Sequence, residues 1–131
     1  MLPTPIVRYM LLCDGWEFSS LRRRITIIGL LSNIVADEDQ TYPLVVPELC
    51  VFLALTEARS RGEGRIVCVD EAEGTPVFAT PPRSIVFGDD PLDVVGLPFR
   101  IQDCPFPKAG MYSVQFYFDG TLVEERPLRL R

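Results

Sequence analysis

"LVVPELCVFLALT", residues 44–56, decides the fold. Its apolar residues do not alternate with polar ones; they fill both faces. That is the signature of a strand covered on both sides. The wider stretch "PELCVFLALTEARSR", residues 47–61, carries Ala, Leu and Glu, which favour helix. Against helix, the apolar block is continuous and holds Val51 and Phe52. The reading is therefore a central strand. Pro47 cannot donate to a ladder, which puts the first half of this strand at an edge or a bulge.

Outward from this stretch, period two dominates and helical periodicity is nearly absent. Strands are expected over 5–13, 24–35, 65–69, 75–80, 84–87, 94–102 and the closing hairpin. In that hairpin Tyr112, Val114, Phe116 and Phe118 share one face, and Ser113, Gln115 and Tyr117 share the other. Asp119-Gly120 suits a two-residue type I′ turn, where both positions need positive φ. Val123 to Leu130 returns, with Pro127 at an edge or bulge. Gly29, inside the second strand, signals a bulge or a close backbone approach. "DGWEFSSLR" and "DCPFPKAG" read as loops. Eight to nine short strands without a repeat point to an antiparallel all-β sandwich, immunoglobulin-like or jelly-roll, filling residues 1–131 as one domain.

Composition limits the function classes. The net charge is −5, which disfavours a nucleic-acid binder or docking on anionic lipid. The N-terminus breaks its apolar stretch with two prolines and Arg8, unlike a secretory leader. No apolar run reaches the roughly 18 residues that a spanning helix needs. Cys13, Cys50, Cys68 and Cys104 form no CxxC pair, and the chain has no His. The thiols read as small buried apolar groups in a reducing, cytoplasmic setting. Cys104, in an expected loop, is the one thiol with any claim to reactivity.

Without His, neither a Ser-His-Asp nor a Cys-His arrangement can form within the chain. No phosphate-cradling or dinucleotide motif occurs, and no cofactor is expected. The expectation is a chain that is not an enzyme.

Carboxylates are plentiful. Asp37, Glu38 and Asp39 form one cluster, Asp70, Glu71 and Glu73 a second, and Asp89, Asp90 and Asp93 a third. Solvated turns explain them, since Asp favours turns. The alternative is a weak calcium site, with Asp37, Asp39, Asp70, Asp89, Asp90 and Asp93 as candidate ligands. If each strand reverses direction, these clusters and Asp119 gather at one end of the sandwich. Arg22, Arg23, Arg59, Arg61, Arg83 and Lys108 then gather at the other. Trp16 and Phe18 lie where a polar turn is expected, and aromatic residues are rich in contacts at interfaces. Trp16, Phe18, Arg22 and Arg23 are thus the candidate partner-binding residues.

The phrases "YMLLCD", "ITIIGLLSNIVA", "PELCVFLALTEA" and "FPKAGMYSVQFYFDGTLVEERPLRLR" resemble a bacterial family of small proteins of unknown function. The matching residues are Cys13, Asp14, Gly29, Phe106, Pro107, Gly110, Tyr112, Asp119, Gly120, Arg126, Pro127 and Leu128. The resemblance implies an all-β single domain and supplies no activity. The expected function is a non-catalytic intracellular module, protein-binding or structural. Its expected partner is another protein or a second copy. The alternative is a sandwich that binds a small ligand, a carbohydrate or calcium.

Overall fold

The computed structural model describes residues 4–37, 39–57 and 61–131; Glu38 and Arg59 lie outside them. Among the described residues there are ten strands: β1 (Ile6–Ser19), β2 (Arg24–Leu30), β3 (Asn33–Ile34), β4 (Leu44–Thr56), β5 (Arg61–Asp70), β6 (Pro76–Ala79), β7 (Arg83–Val86), β8 (Val95–Phe106), β9 (Gly110–Phe118) and β10 (Thr121–Leu130). One sheet has the order β2-β1-β4-β8. The other has the order β3-β10-β9-β5-β6, with β7 also on β5. The two sheets make an all-β sandwich. Every pairing is antiparallel except β3 on β10, which is parallel.

β4 is the strand that its sequence announces. Leu49, Val51, Leu53 and Leu55 face the inter-sheet core, while Cys50, Phe52, Ala54 and Thr56 are buried on the opposite face. Pro47 falls where β4 pairs only with β8, so its missing donor costs no ladder bond on the far side. From the second sheet, Tyr112, Val114, Phe116 and Phe118 point inward as the alternation requires. Phe116 meets Phe99 at 6.3 Å between centroids, and Phe106 meets Tyr112 edge-on at 5.0 Å. Asp119 and Gly120 take φ of 48° and 79°, as a type I′ turn demands.

Several sequence expectations are corrected. "DGWEFSSLR" is not a loop: β1 runs on to Ser19, and only residues 20–23 turn. β8 runs to Phe106, so Cys104 is a fully buried strand residue rather than a loop thiol. Burial pushes its pKa up to about 11. The expected strand over 24–35 is divided. Leu31 donates its N–H to the Leu12 carbonyl in one sheet, and Arg129 donates to the Ser32 carbonyl in the other. The chain thus steps between sheets within two residues. Gly29 makes a close approach, not a bulge. The β1–β2 register does not shift there, although the ladder skips Asp14 and Gly29 themselves, and a Cβ on Gly29 would lie 2.2 Å from an Asp14 carboxylate oxygen.

The single acidic pole does not form. Asp37 and Asp39 lie at the end that holds Lys108, whose ammonium is 2.9 Å from Glu73 and 3.4 Å from Asp70. Asp119 lies at the other end, where its carboxylate accepts the Glu63 N–H at 2.8 Å. Asp89, Asp90 and Asp93 are there too, beside Pro91, whose carbonyl accepts the Glu57 N–H. The reason is topological. β6 and β7 both run antiparallel along the same edge of β5, so they are one interrupted strand and not a hairpin. Pro81-Pro82 interrupts that line without reversing it, and parity shifts by one from there on.

Candidate functional site

The site grows from a bend. β1 pairs with β4 only from Ile6 to Cys13; from Cys13 to Ser19 it pairs with β2 instead. The second half of β1 and β2 form a hairpin arm over the outer face of the first sheet. Trp16 sits 6.4 Å from Phe52 of β4, and the Arg100 guanidinium of β8 lies 5.7 Å from the Trp16 ring centroid. The arm therefore crosses β4 to reach β8. Ile25 comes down on Gly96, where a Cβ would stand 3.6 Å from its Cδ1 and 3.2 Å from the Phe52 ring. Gly96 leaves room for both. This cover is what buries the outer face of β4.

Directly opposed residues of an antiparallel pair share a face. Trp16 opposes Ile27 and Phe18 opposes Ile25, so these four form the arm's inner face. The layer closes only near the bend. Trp16 is tucked beneath the arm, with its indole N–H buried and without a hydrogen-bond partner. Further out, Phe18 is 57% exposed and Ile25 41%. At the turn Leu21 is 92% exposed. Arg23 there has φ of 51°, and the Arg22 N–H donates to the Ser19 hydroxyl at 3.3 Å. Arg22, Arg23 and Arg24 are exposed and make no ion pair among the described residues.

Of the sequence candidates, Phe18, Arg22 and Arg23 thus come together on the outer half of the arm. Trp16 is the anchor that holds the arm to the sheet. Leu21, Ile25 and Arg24 complete the surface but were missed. "RITII" reads as a core strand, and no local signal tells an apolar strand on an arm from one in a core.

The acidic residues are held as turns. Asp70, itself buried, accepts the Ala72 N–H at 2.9 Å and faces Lys108. Asp90 accepts the Leu92 N–H at 2.9 Å. The Asp37 carbonyl accepts the Gln40 N–H. Among the described residues no three acidic or thiol groups converge as metal ligands. Asp37, Asp39 and Asp70 lie at one end and Asp89, Asp90 and Asp93 at the other.

The thiols pair within the fold. Cys13 directly opposes Cys50 on the β1–β4 ladder, under the arm. Burial raises the Cys13 pKa and pushes Cys50 up to about 12. Burial also pushes Cys68 up to about 12, with Cys104 adding to it.

An open depression of about 400 Å³ lies over the second sheet, lined by Glu63, Arg65, Pro82, Tyr117 and Asp119. No helix of the described residues is long and apolar enough to cross a membrane.

Two facing sheets with a basic, apolar hairpin laid across one of them define the class: an all-β sandwich bearing an arm. The chain belongs to a family of unknown function, DUF6941, whose model matches residues 8–131. The sequence resemblance to such a family accords with this match. Among solved structures, an immunoglobulin-like protein from Pseudomonas aeruginosa is similar at 10% identity and a TM-score of 0.39. The alignment covers 99% of this chain and 98% of that one. No curated protein matches.

Proposed function

We propose that this protein is a non-catalytic, intracellular protein-binding module whose contact surface is the outer half of the β1–β2 arm. One observation carries the reading. Phe18, Leu21 and Ile25 are exposed beside three arginines that make no ion pair among the described residues, on a chain whose net charge is −5. A solvent-facing turn gains nothing from a bare Leu, and clustered exposed apolar residues mark interaction sites. Aromatic and Arg side chains are also the residues that dominate interface energy. The charge selects an acidic partner. Four free thiols fit a reducing compartment.

The test compares capture of partners from a lysate of the source organism by the native chain and by an arm variant. The variant carries Phe18→Ser, Leu21→Ser, Arg22→Glu and Arg23→Glu. A second variant, Glu63→Lys with Asp119→Lys, changes a distant surface. The expected result is a partner held by the native chain and the second variant but lost by the arm variant. Equal capture by all three would remove the arm from the interface.

A further inference from the structure

The arm also ends in an open sheet edge, and the other long edges are blocked. On β10, the odd-numbered residues from Glu125 onward face outward, as the Arg129 N–H bond to Ser32 shows. There the Glu125 N–H is taken by the Glu124 carboxylate at 3.1 Å. The Glu125 carbonyl accepts from Arg126 at 2.8 Å, and Pro127 has no N–H to offer. On β8, Arg83 reaches over from the second sheet and donates to the Pro98 carbonyl. These are devices that keep an edge from pairing with other chains.

β2 has none of them. It is the terminal strand of its sheet, and no side chain bonds its backbone among the described residues. The Leu31 N–H points inward to Leu12. Gly29, at φ 66°, is skipped by the β1–β2 ladder, and the four-residue turn closes on the Ser19–Arg24 pair, so Arg24, Thr26 and Ile28 bond to β1 and the N–H and C=O of Ile25 and Ile27 turn outward. Residues 25–35 carry no charge that would repel a guest strand. Ile25, Ile28 and Leu30 are all exposed along β2.

Resting on the arm as the contact surface, we propose that β2 accepts an extended acidic segment of a partner protein as an added strand. Backbone pairing to Ile25 and Ile27 would supply affinity, in the manner of strand addition to open edges. Arg22, Arg23 and Arg24 set the polarity. A guest antiparallel to β2 brings its C-terminal end beside Arg24. Its carboxylates therefore belong at that end, after a β-branched, apolar-alternating run.

The probe is an end-blocked peptide, Thr-Val-Thr-Val-Thr-Val-Asp-Glu-Glu, titrated into isotope-labelled full-length chain and followed by amide NMR and hydrogen exchange. The expected result is slowed exchange at Ile25 and Ile27. Binding should weaken several-fold between about 50 and about 200 mM salt. A peptide with a Lys tail should fail to bind. Ile27→Pro removes an outward donor where an edge tolerates Pro, and should abolish binding while the inward Thr26 and Ile28 amides keep their protection against β1. Absence of binding, or equal binding to Ile27→Pro, overturns strand addition. If Ile27→Pro still captures the lysate partner that the arm variant loses, the arm remains the interface and only the strand-addition mode falls. Concentration-dependent protection of Ile25 and Ile27 without peptide, with a dimer by sedimentation, would make the occupant a second copy and overturn the acidic-partner assignment.

Discussion

Gly62 shows how tightly a single residue is bound to this core. A Cβ there would stand 2.2 Å from the tip of the Phe118 ring and 2.8 Å from its flanks. Phe118 cannot swing away, because it packs against Phe87 at 5.9 Å. Gly62→Ala should therefore cost about 1–3 kcal/mol in denaturant unfolding, as overpacking does. An unchanged midpoint would show that the ring has room. Asp70 is the second such residue. Its carboxylate is buried, fixes the β5–β6 turn and faces Lys108 from the β8–β9 turn. Asp70→Ala should cost about 1–3 kcal/mol, because the Ala72 N–H loses its partner. Both turns should loosen together by hydrogen exchange. Neither residue is legible in the sequence. A Gly between Arg61 and Glu63 reads as a turn, and an Asp before Glu71 reads as solvated.

Among the elements, the arm and β10 make opposite predictions. The arm rests on Trp16 against Phe52 and Arg100. Trp16→Ala removes that anchor while the inter-sheet core keeps its contacts. Amides of β2 should then exchange faster, with those of β4 and β9 little changed. Uniform acceleration across all strands would mean that the arm is part of the global unfolding unit. β10 is guarded by the Glu124–Arg126 ion pair, 3.0 Å long, whose members also cap the Glu125 backbone. Glu124→Ala with Arg126→Ala should barely change stability, as expected for a surface pair. It should raise self-association in sedimentation, because the edge is bared. A monomeric double variant would show that Pro127 alone protects that edge. Pro127 was readable as an edge residue from sequence; its two charged neighbours were not, since their roles depend on which side of β10 lies open.

The whole molecule carries one property that belongs to no single element: its response to alkali. Burial raises the pKa of all four thiols, with Cys50 and Cys68 near 12 and Cys104 near 11. Burial raises that of Tyr112 as well. Lys108 is raised chiefly by its hydrogen bond to Glu73, with Asp70 adding to it. For each group the folded state holds its proton to higher pH than the unfolded chain. The associated stability is complete below the unfolded pKa, about 8.5 for a thiol, and is lost as pH rises toward the folded value. Melting temperature should hold from pH 7 to about 8.5 and fall steadily above it, as the unfolding free energy drops by about 1.4 kcal/mol per pH unit for each fully buried thiol. Cys68→Val should flatten that slope. A melting temperature that stays constant to pH 11 would mean that water reaches the thiols.

Alternation and composition alone determined the strand content, the inward face of the closing hairpin, its Asp119-Gly120 turn and the double-sided burial of β4. These follow from forces within a few residues of chain: the two-residue period of a strand, the φ that a turn demands and the hydrophobicity of one run. Only the tertiary structure decided that β6 and β7 form one broken line, that the acidic turns divide between two ends and that "RITII" lies on an exposed arm. An apolar strand carries the same pattern whether a sheet or a partner covers it. What covers it depends on where β1 bends, and that is settled by contacts from Trp16 and Ile25 to Phe52, Gly96 and Arg100, far along the chain.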